Sequence, residues 1–195
     1  MIIAPYIGID ESNHGNWPEI IVAAWSLNPK SILWHEEKLP KKRTAKSISS
    51  LSTLGSFRHM IIPEEYELLV NAETRGVFYK LVKIVSVCEF LKSFSEVRHV
   101  IIDGESPEDV LEEIKKQIYH NRYKPKIESL KSADQRILIV NLADSIAYRL
   151  YSHYSGIDGV EHKPLGEIKQ NQRSTLLQSL VTPVFENYLD LLERL

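Results

Sequence analysis

Apolar runs separated by turn-forming residues predict three strands in the first third of the chain. The first run begins at Tyr6 and delivers Asp10 at its end, and the second covers residues 19–25. These two runs are close enough to form a hairpin around the turn at residues 13–15, which makes the strands antiparallel. A third run covers residues 57–62. The chain is therefore predicted to open with three antiparallel strands.

After the third strand, segments with the apolar period of a helix alternate with short apolar runs that are typical of strands. Helices are predicted over 75–94, 106–120 and 137–151, and strands over 97–103 and 124–130. Strands that are connected through helices pair in parallel. We therefore predict an α/β fold in which helices flank a mixed five-stranded sheet, with three antiparallel strands followed by parallel strands.

The sequence has no internal repeat and no shift in composition that would mark a second domain. We predict a single domain over residues 1–195, with residues 160–195 as a C-terminal helical extension. The amphipathic helix predicted over 172–195 either closes the core or joins two copies in a homodimer. A chain of 195 residues, 43% of them hydrophobic, is long enough to bury a substantial core.

Charge and composition narrow the class of protein. The net charge of −2 gives no overall electrostatic argument for a nucleic-acid partner, so such an argument depends on local patches. No apolar stretch approaches the roughly 18 residues of a membrane span, and the first residues lack the basic region of a signal peptide. The single cysteine, Cys88, lies in an apolar helical run and is predicted to be a core residue. We predict a cytoplasmic protein with no membrane partner.

Carboxylates end two of the predicted strands. Asp10 follows the first apolar run and Asp103 follows the fourth, just before Gly104. On neighbouring strands they would face each other across about 4.8 Å, where two carboxylates repel unless a cation lies between them. This arrangement predicts a divalent metal site with oxygen ligands. Glu11 points to the opposite face and joins the site only if the strand bends there, and the alternative role of Asp103 is to cap the turn.

A third acid is expected from the region around the helix at 137–151, where there are two candidates. Asp144 lies among apolar and small residues of that helix, where a charge is costly unless it is liganded. Asp134 lies before the helix, where Ser132 and Gln135 have the spacing of a capping box. Ten residues of one helix span about 15 Å, so both acids reach one site only if the helix begins after Asp134 and the chain folds back. We favour Asp144.

Short motifs around these acids resemble ribonuclease H-like proteins. The run Gly8-Ile9-Asp10-Glu11-Ser12-x-x-Gly15 resembles the Gly-Ile-Asp-Glu-Ala-Gly-x-Gly opening of type 2 ribonucleases H, and its centre is similar to the Asp-Glu-Ser-Gly opening of a large uncharacterised family with the same fold. The run from Leu142 to Ala147 resembles the Leu-Ala-Asp-x-Ile-Ala helix of that second family and the helix of RuvC-type resolvases. Lys131-Ser132-Ala133-Asp134 resembles, with one insertion, the Lys-Ala-Asp of type 2 ribonucleases H.

The resemblance implies a nuclease, either an exonuclease or an endonuclease, that cleaves DNA or RNA with two metal ions. Asp10, Asp103 and Asp144 would hold two Mg²⁺ or Mn²⁺ ions, and Glu11 or Asp134 would complete the set of catalytic acids. Type 2 ribonucleases H carry a basic residue after the acids, whereas this chain has Asn13-His14-Gly15 there. The competing interpretation is a non-catalytic module of the same fold that binds nucleic acid or a protein.

Basic residues near the acids are the candidates for binding the phosphate backbone without reading sequence. Lys131 and Arg136 flank Asp134, and a basic loop contains Lys41, Lys42 and Arg43. The alternative interpretation of this loop is a solvated charged segment with no partner.

Overall fold

The computed structural model describes residues 2–12, 19–40, 56–62, 75–119 and 124–155. The predicted turn at 13–15, the basic loop with Lys41, Lys42 and Arg43, and the extension at 160–195 lie outside the described residues. The homodimer through that extension therefore stays a prediction. Among the described residues, no helix combines the length and the apolar character needed to cross a membrane.

Seven strands and three helices make up the described fold. The strands are β1 (Ile2–Ile3), β2 (Tyr6–Ser12), β3 (Glu19–Ser26), β4 (Ser56–Ile62), β5 (Phe94–Ser95), β6 (His99–Asp103) and β7 (Lys126–Leu130). The helices are α1 (Arg75–Lys92), α2 (Glu108–Ile118) and α3 (Leu138–Ser155), and 3-10 turns cover Pro29–Ile32 and Ala133–Gln135.

Five strands form one mixed sheet in the order β4-β3-β2-β6-β7. The pairs β4–β3 and β3–β2 are antiparallel, whereas β2–β6 and β6–β7 are parallel. The predicted fold class is confirmed, since three antiparallel strands are followed by two parallel ones. A separate parallel pair, β1 with β5, was not predicted because two residues per strand are too few to show a period.

Helices cover both faces of the sheet and bury a separate apolar core on each. Helices α1 and α2 pack on the face that carries Ile7, Ile9 and Ile102, and α3 packs on the face that carries Val22 and Ile101. Cys88 is buried on α1 as predicted, and burial raises the pKa of its thiol to about 12.

Gly8 permits the close contact between β2 and α3. A Cβ atom at this position would lie 2.7 Å from the carbonyl carbon of Ile139 and from the amide nitrogen of Val140. Both are backbone atoms, which cannot rotate away as a side chain can. The glycine therefore sets how near the helix, and the acid that it carries, comes to the sheet.

Candidate active site

The pairing of β2 with β6 brings two acids to the same edge of the sheet. The parallel register pairs Ile9 with Ile102, so the next residues along the two strands are Asp10 and Asp103. Both follow a buried residue that points to the α1 face, and strand side chains alternate, so both point to the α3 face. The two carboxylates therefore lie on neighbouring strands, as the sequence predicts.

The pKa of Asp10 is raised more strongly than that of Asp103. Asp10 is only 3% exposed, and its Oδ1 accepts a hydrogen bond of 2.8 Å from the backbone N–H of Glu11. Burial raises the pKa of Asp10 well above its ordinary value, and the charges of Asp103, Asp144 and Glu11 raise it further. The carboxylates therefore lie close enough to repel one another, which is the condition under which a bound cation stabilises a site.

Asp103 is held by the turn that precedes α3. The backbone N–H of Asp134 donates a hydrogen bond of 2.9 Å to Asp103 Oδ1. Burial raises the pKa of Asp103, and that hydrogen bond partly opposes the effect, whereas the charge of Asp134 adds to it. Asp134 is itself 6% exposed, so a second carboxylate is buried beside the first.

The capping box predicted at this turn is wrong. Within the described residues, the Ser132 side chain makes no capping hydrogen bond, and its φ of 57° places it in the left-handed region. The chain forms a 3-10 turn over Ala133–Gln135, and α3 begins only at Leu138. The helix therefore begins after Asp134, which is the condition for both candidate acids to approach one site.

Asp144 comes to the site from α3. It is 7% exposed, and its charge contributes to the raised pKa of Asp10. One turn earlier, the amide of Asn141 donates a hydrogen bond of 2.8 Å to the backbone carbonyl of Asp134. This bond ties the first turns of α3 to the 3-10 turn, so the two candidate acids are held by one connected piece of backbone.

Glu11 lies on the opposite face of β2 and contacts helix α1. Its Oε1 is 3.7 Å from the ammonium nitrogen of Lys83, and that nitrogen is also 3.4 Å from the backbone oxygen of Asp103. Lys83 is not predicted from the sequence. A lysine on the polar side of an amphipathic helix has no pattern of its own, and only the tertiary structure shows that it reaches the acids.

Two of the predicted phosphate-binding residues, Lys131 and Arg136, lie within the described part of the chain. Lys131 is well exposed and lies 3.8 Å from a carboxylate oxygen of Glu105. Arg136 lies just before α3, where its guanidinium donates to the backbone oxygen atoms of His35 and Glu36. Both are therefore close to Asp134 in the chain and at the surface, as a phosphate contact requires.

The donor set of this site fits Mg²⁺ or Mn²⁺, because it consists of carboxylates alone and their mutual repulsion favours a cation. Within the described residues, no three Asp, Glu, His or Cys side chains are already grouped closely enough to hold a metal ion. The acids therefore lie at one edge of the sheet and interact electrostatically, but they do not form a complete set of metal ligands.

Comparison with solved structures identifies the fold. A ribonuclease HII from Archaeoglobus fulgidus, in a complex with PCNA, is 14% identical with a TM-score of 0.53, and the match covers 92% of this chain and 92% of that one. The ribonuclease H2 of Pyrococcus horikoshii OT3 is 14% identical with a TM-score of 0.51, over 94% of this chain and 84% of that one. No protein-family model matches the sequence, and neither does any curated protein.

Proposed function

We propose that this chain, whose fold is that of ribonuclease H-like proteins, is a divalent-metal-dependent nuclease that hydrolyses phosphodiester bonds of DNA or RNA. The observation that supports the proposal best is the electrostatic state of Asp10. A carboxylate whose pKa is raised by burial, and further by two neighbouring aspartates and a glutamate, is costly for the fold and is typical of a functional site.

Asp10, Asp103 and Asp144 would hold two Mg²⁺ or Mn²⁺ ions, with Glu11 or Asp134 completing the set. When bound, such a pair of ions supplies an activated water molecule and stabilises the leaving oxygen in phosphodiester hydrolysis. The carboxylates act as ligands in their charged form, so the repulsion that raises the pKa of Asp10 is relieved once cations are present.

The chain's own residues position these acids. The Asp134 N–H donates to one oxygen of Asp103, and the Asn141 amide holds the turn that carries Asp134. Lys83 keeps Glu11 on the α1 side of the strand. Glu11 would therefore have to leave its ion pair with Lys83 to bind a metal ion, whereas Asp10 already lies next to Asp103.

Nucleic acid would lie across the exposed side of this edge. Lys131 and Arg136 border it, and the proposal also assigns phosphate contacts to Lys41, Lys42 and Arg43. Backbone contacts of this kind position a substrate without specifying its sequence. The proposed contacts with the substrate therefore do not depend on its base sequence.

The test is cleavage of end-labelled single-stranded DNA, duplex DNA, RNA and an RNA–DNA hybrid, each with Mn²⁺, Mg²⁺ or EDTA. We expect metal-dependent cutting that is lost in Asp10→Asn and Asp103→Asn. The matched control is Asp109→Asn, because Asp109 is an exposed acid on α2 that pairs with Lys80 and is not one of the proposed metal ligands. The product ladder distinguishes exonuclease from endonuclease action.

Two outcomes contradict the proposal. Cutting that persists in both site variants would assign the activity to other residues or to a contaminant. Failure to cut any substrate, with nucleic-acid binding retained, would make the chain a non-catalytic binding module of the same fold.

A further inference from the structure

Trp34 is an exposed aromatic residue on a segment that runs toward the acids. We call the ends of β2 and β6, which carry Asp10, Glu11 and Asp103, the acid edge. The Trp34 side chain is 54% exposed, although tryptophan is on average one of the more buried residues. The neighbouring Leu33 and the first residue of α3, Leu138, are also exposed.

The segment 34–39 is fixed along residues 135–137. Trp34 forms an antiparallel bridge with Ile137, the His35 N–H donates to the Arg136 carbonyl oxygen at 2.8 Å, and the Leu39 N–H donates to the Gln135 carbonyl oxygen at 2.8 Å. The segment therefore runs from Trp34 toward the turn that carries Asp134.

Arg136 makes Trp34 part of a mixed aromatic and cationic surface. The guanidinium carbon lies 6.0 Å from the centre of the Trp34 ring, and the same group donates to the backbone oxygen atoms of His35 and Glu36. A guanidinium with these partners is restrained, so the ring and the cation form one preorganised surface. We call Trp34 and Arg136 the stacking platform.

We propose that the stacking platform binds an unpaired base of a single-stranded nucleic acid whose backbone continues to the acid edge. This inference rests on the proposed function and adds the form of its substrate. Aromatic and guanidinium surfaces stack on bases of any sequence, because every base has a π-face. A duplex has its base faces already covered by neighbouring pairs, so it cannot use such a platform.

The position and the charges of the platform support this ligand. Gln135, which is bonded to the segment, is adjacent to Asp134, and Asp134 is bonded to Asp103, so only a short path separates the platform from the acids. Lys38, Glu36 and Glu37 are exposed on the segment itself, and exposed Lys131 lies on the other side of Asp134, near Glu105. Because these charges nearly cancel, stacking has to supply most of the affinity.

The test measures binding without cleavage, in EDTA, by fluorescence anisotropy of labelled oligo-dT, oligo-U and the duplex of oligo-dT with oligo-dA. We expect the wild type to prefer the single strands, and Trp34→Ala to weaken that binding by about tenfold. Trp34→Phe, which keeps a ring, should restore most of the affinity, and duplex binding should not change. The DNA and RNA arms show which sugar the site prefers.

Leu33→Ala is the matched control, because it removes an exposed apolar side chain from the same segment without removing a ring. Lys131→Gln should lower the slope of log K against log salt by about 0.7, whereas Trp34→Ala should leave that slope unchanged. Thermal melting of each variant verifies that the fold is intact.

Equal binding of single strands by the wild type and Trp34→Ala would overturn the platform, as would absence of single-strand binding or an equal loss in Leu33→Ala. These results are distinguishable from failure of the nuclease proposal. Binding that depends on Trp34 without metal-dependent cutting would contradict the nuclease alone, and cutting of duplex with no effect of Trp34 would contradict the platform alone.

Discussion

Lys83 is a cation in direct contact with the acid edge, and it shows how a cluster of carboxylates is tolerated without metal. Its ammonium nitrogen lies 3.7 Å from Glu11 and 3.4 Å from the backbone oxygen of Asp103. Both members of the ion pair are less than a quarter exposed, so solvent screens the pair incompletely. Lys83 therefore offsets part of the repulsion among the carboxylates, as a bound metal ion would.

We expect Lys83→Met to lower the free energy of unfolding of the metal-free protein by about 1 kcal/mol. The loss should shrink when Mn²⁺ is added, because the ion takes over the neutralisation of the acids. Thermal melting with EDTA and with Mn²⁺ measures both effects. The control is Lys80→Met, one helical turn earlier, which loses an exposed ion pair with Asp109 and should be indifferent to Mn²⁺. An equal deficit of Lys83→Met in both conditions would contradict this role.

The sequence identifies the acids themselves but not the groups that position them. Asp10 and Asp144 are conspicuous because each interrupts an apolar pattern. Lys83 follows no such pattern, and its role depends on a contact with Glu11, a residue far away in the chain. The contribution of Asp134 is harder still to predict, because the hydrogen bond that fixes Asp103 comes from its backbone N–H, a group that every residue except proline carries.

At the scale of elements, the packing of α3 on β2 decides where Asp144 lies. Gly8 and Asp10 share one face of β2, two residues apart, and the helix that carries Asp144 rests on that glycine. The distance between strand and helix is therefore coupled to the distance between the two carboxylates.

Gly8→Ala should be strongly destabilising, by about 3 kcal/mol, because the new Cβ would lie 2.7 Å from backbone atoms of α3. Since the helix has to move away, cleavage should fall by more than the folded fraction does. Urea denaturation and cleavage at a temperature where the variant is folded separate these effects. The control is Gly76→Ala on α1, where no described atom lies within 4 Å of the new Cβ and stability should rise slightly. A Gly8→Ala variant with wild-type stability and activity would contradict this coupling.

The sequence predicts the long elements well and the short ones poorly. The predicted strands and helices of 57–62, 75–94 and 97–103 agree with β4, α1 and β6 to within two residues at each end. Their apolar positions repeat often enough to show a period. The 3-10 turn at Ala133–Gln135 and the left-handed Ser132 offer only one or two residues each, and local sequence there favoured a helix cap that tertiary contacts replace.

At the scale of the whole molecule, the acid edge reduces the stability of the fold in the absence of metal. The pKa of Asp10 is raised in the folded protein above its ordinary value of 3.8. A raised pKa means that the folded state binds the proton more tightly than the unfolded state. Its contribution to stability is therefore fully present below pH 3.8 and is lost as the pH rises through the folded pKa.

Asp10→Asn should consequently be more stable than the wild type at neutral pH in EDTA, by about 1 to 3 kcal/mol, and the difference should vanish in acid. With Mn²⁺ the order should reverse, because the wild type gains binding energy that the variant lacks. Urea denaturation over a pH series, with and without Mn²⁺, measures this. In Asp109→Asn, the exposed control, neither trend should appear. A variant that is less stable than the wild type in EDTA at neutral pH would contradict the proposed origin of the shift.

The contact between the segment 34–39 and the turn before α3 also has a consequence for the order of folding. Arg136 and Glu36 are 100 residues apart in the chain, so a large loop has to close before they meet. The entropy lost in closing such a loop is recovered only when the intervening strands are already in place. We therefore expect Trp34 to reach its native surroundings late, with the final assembly of the acid edge and not with the first collapse of the chain.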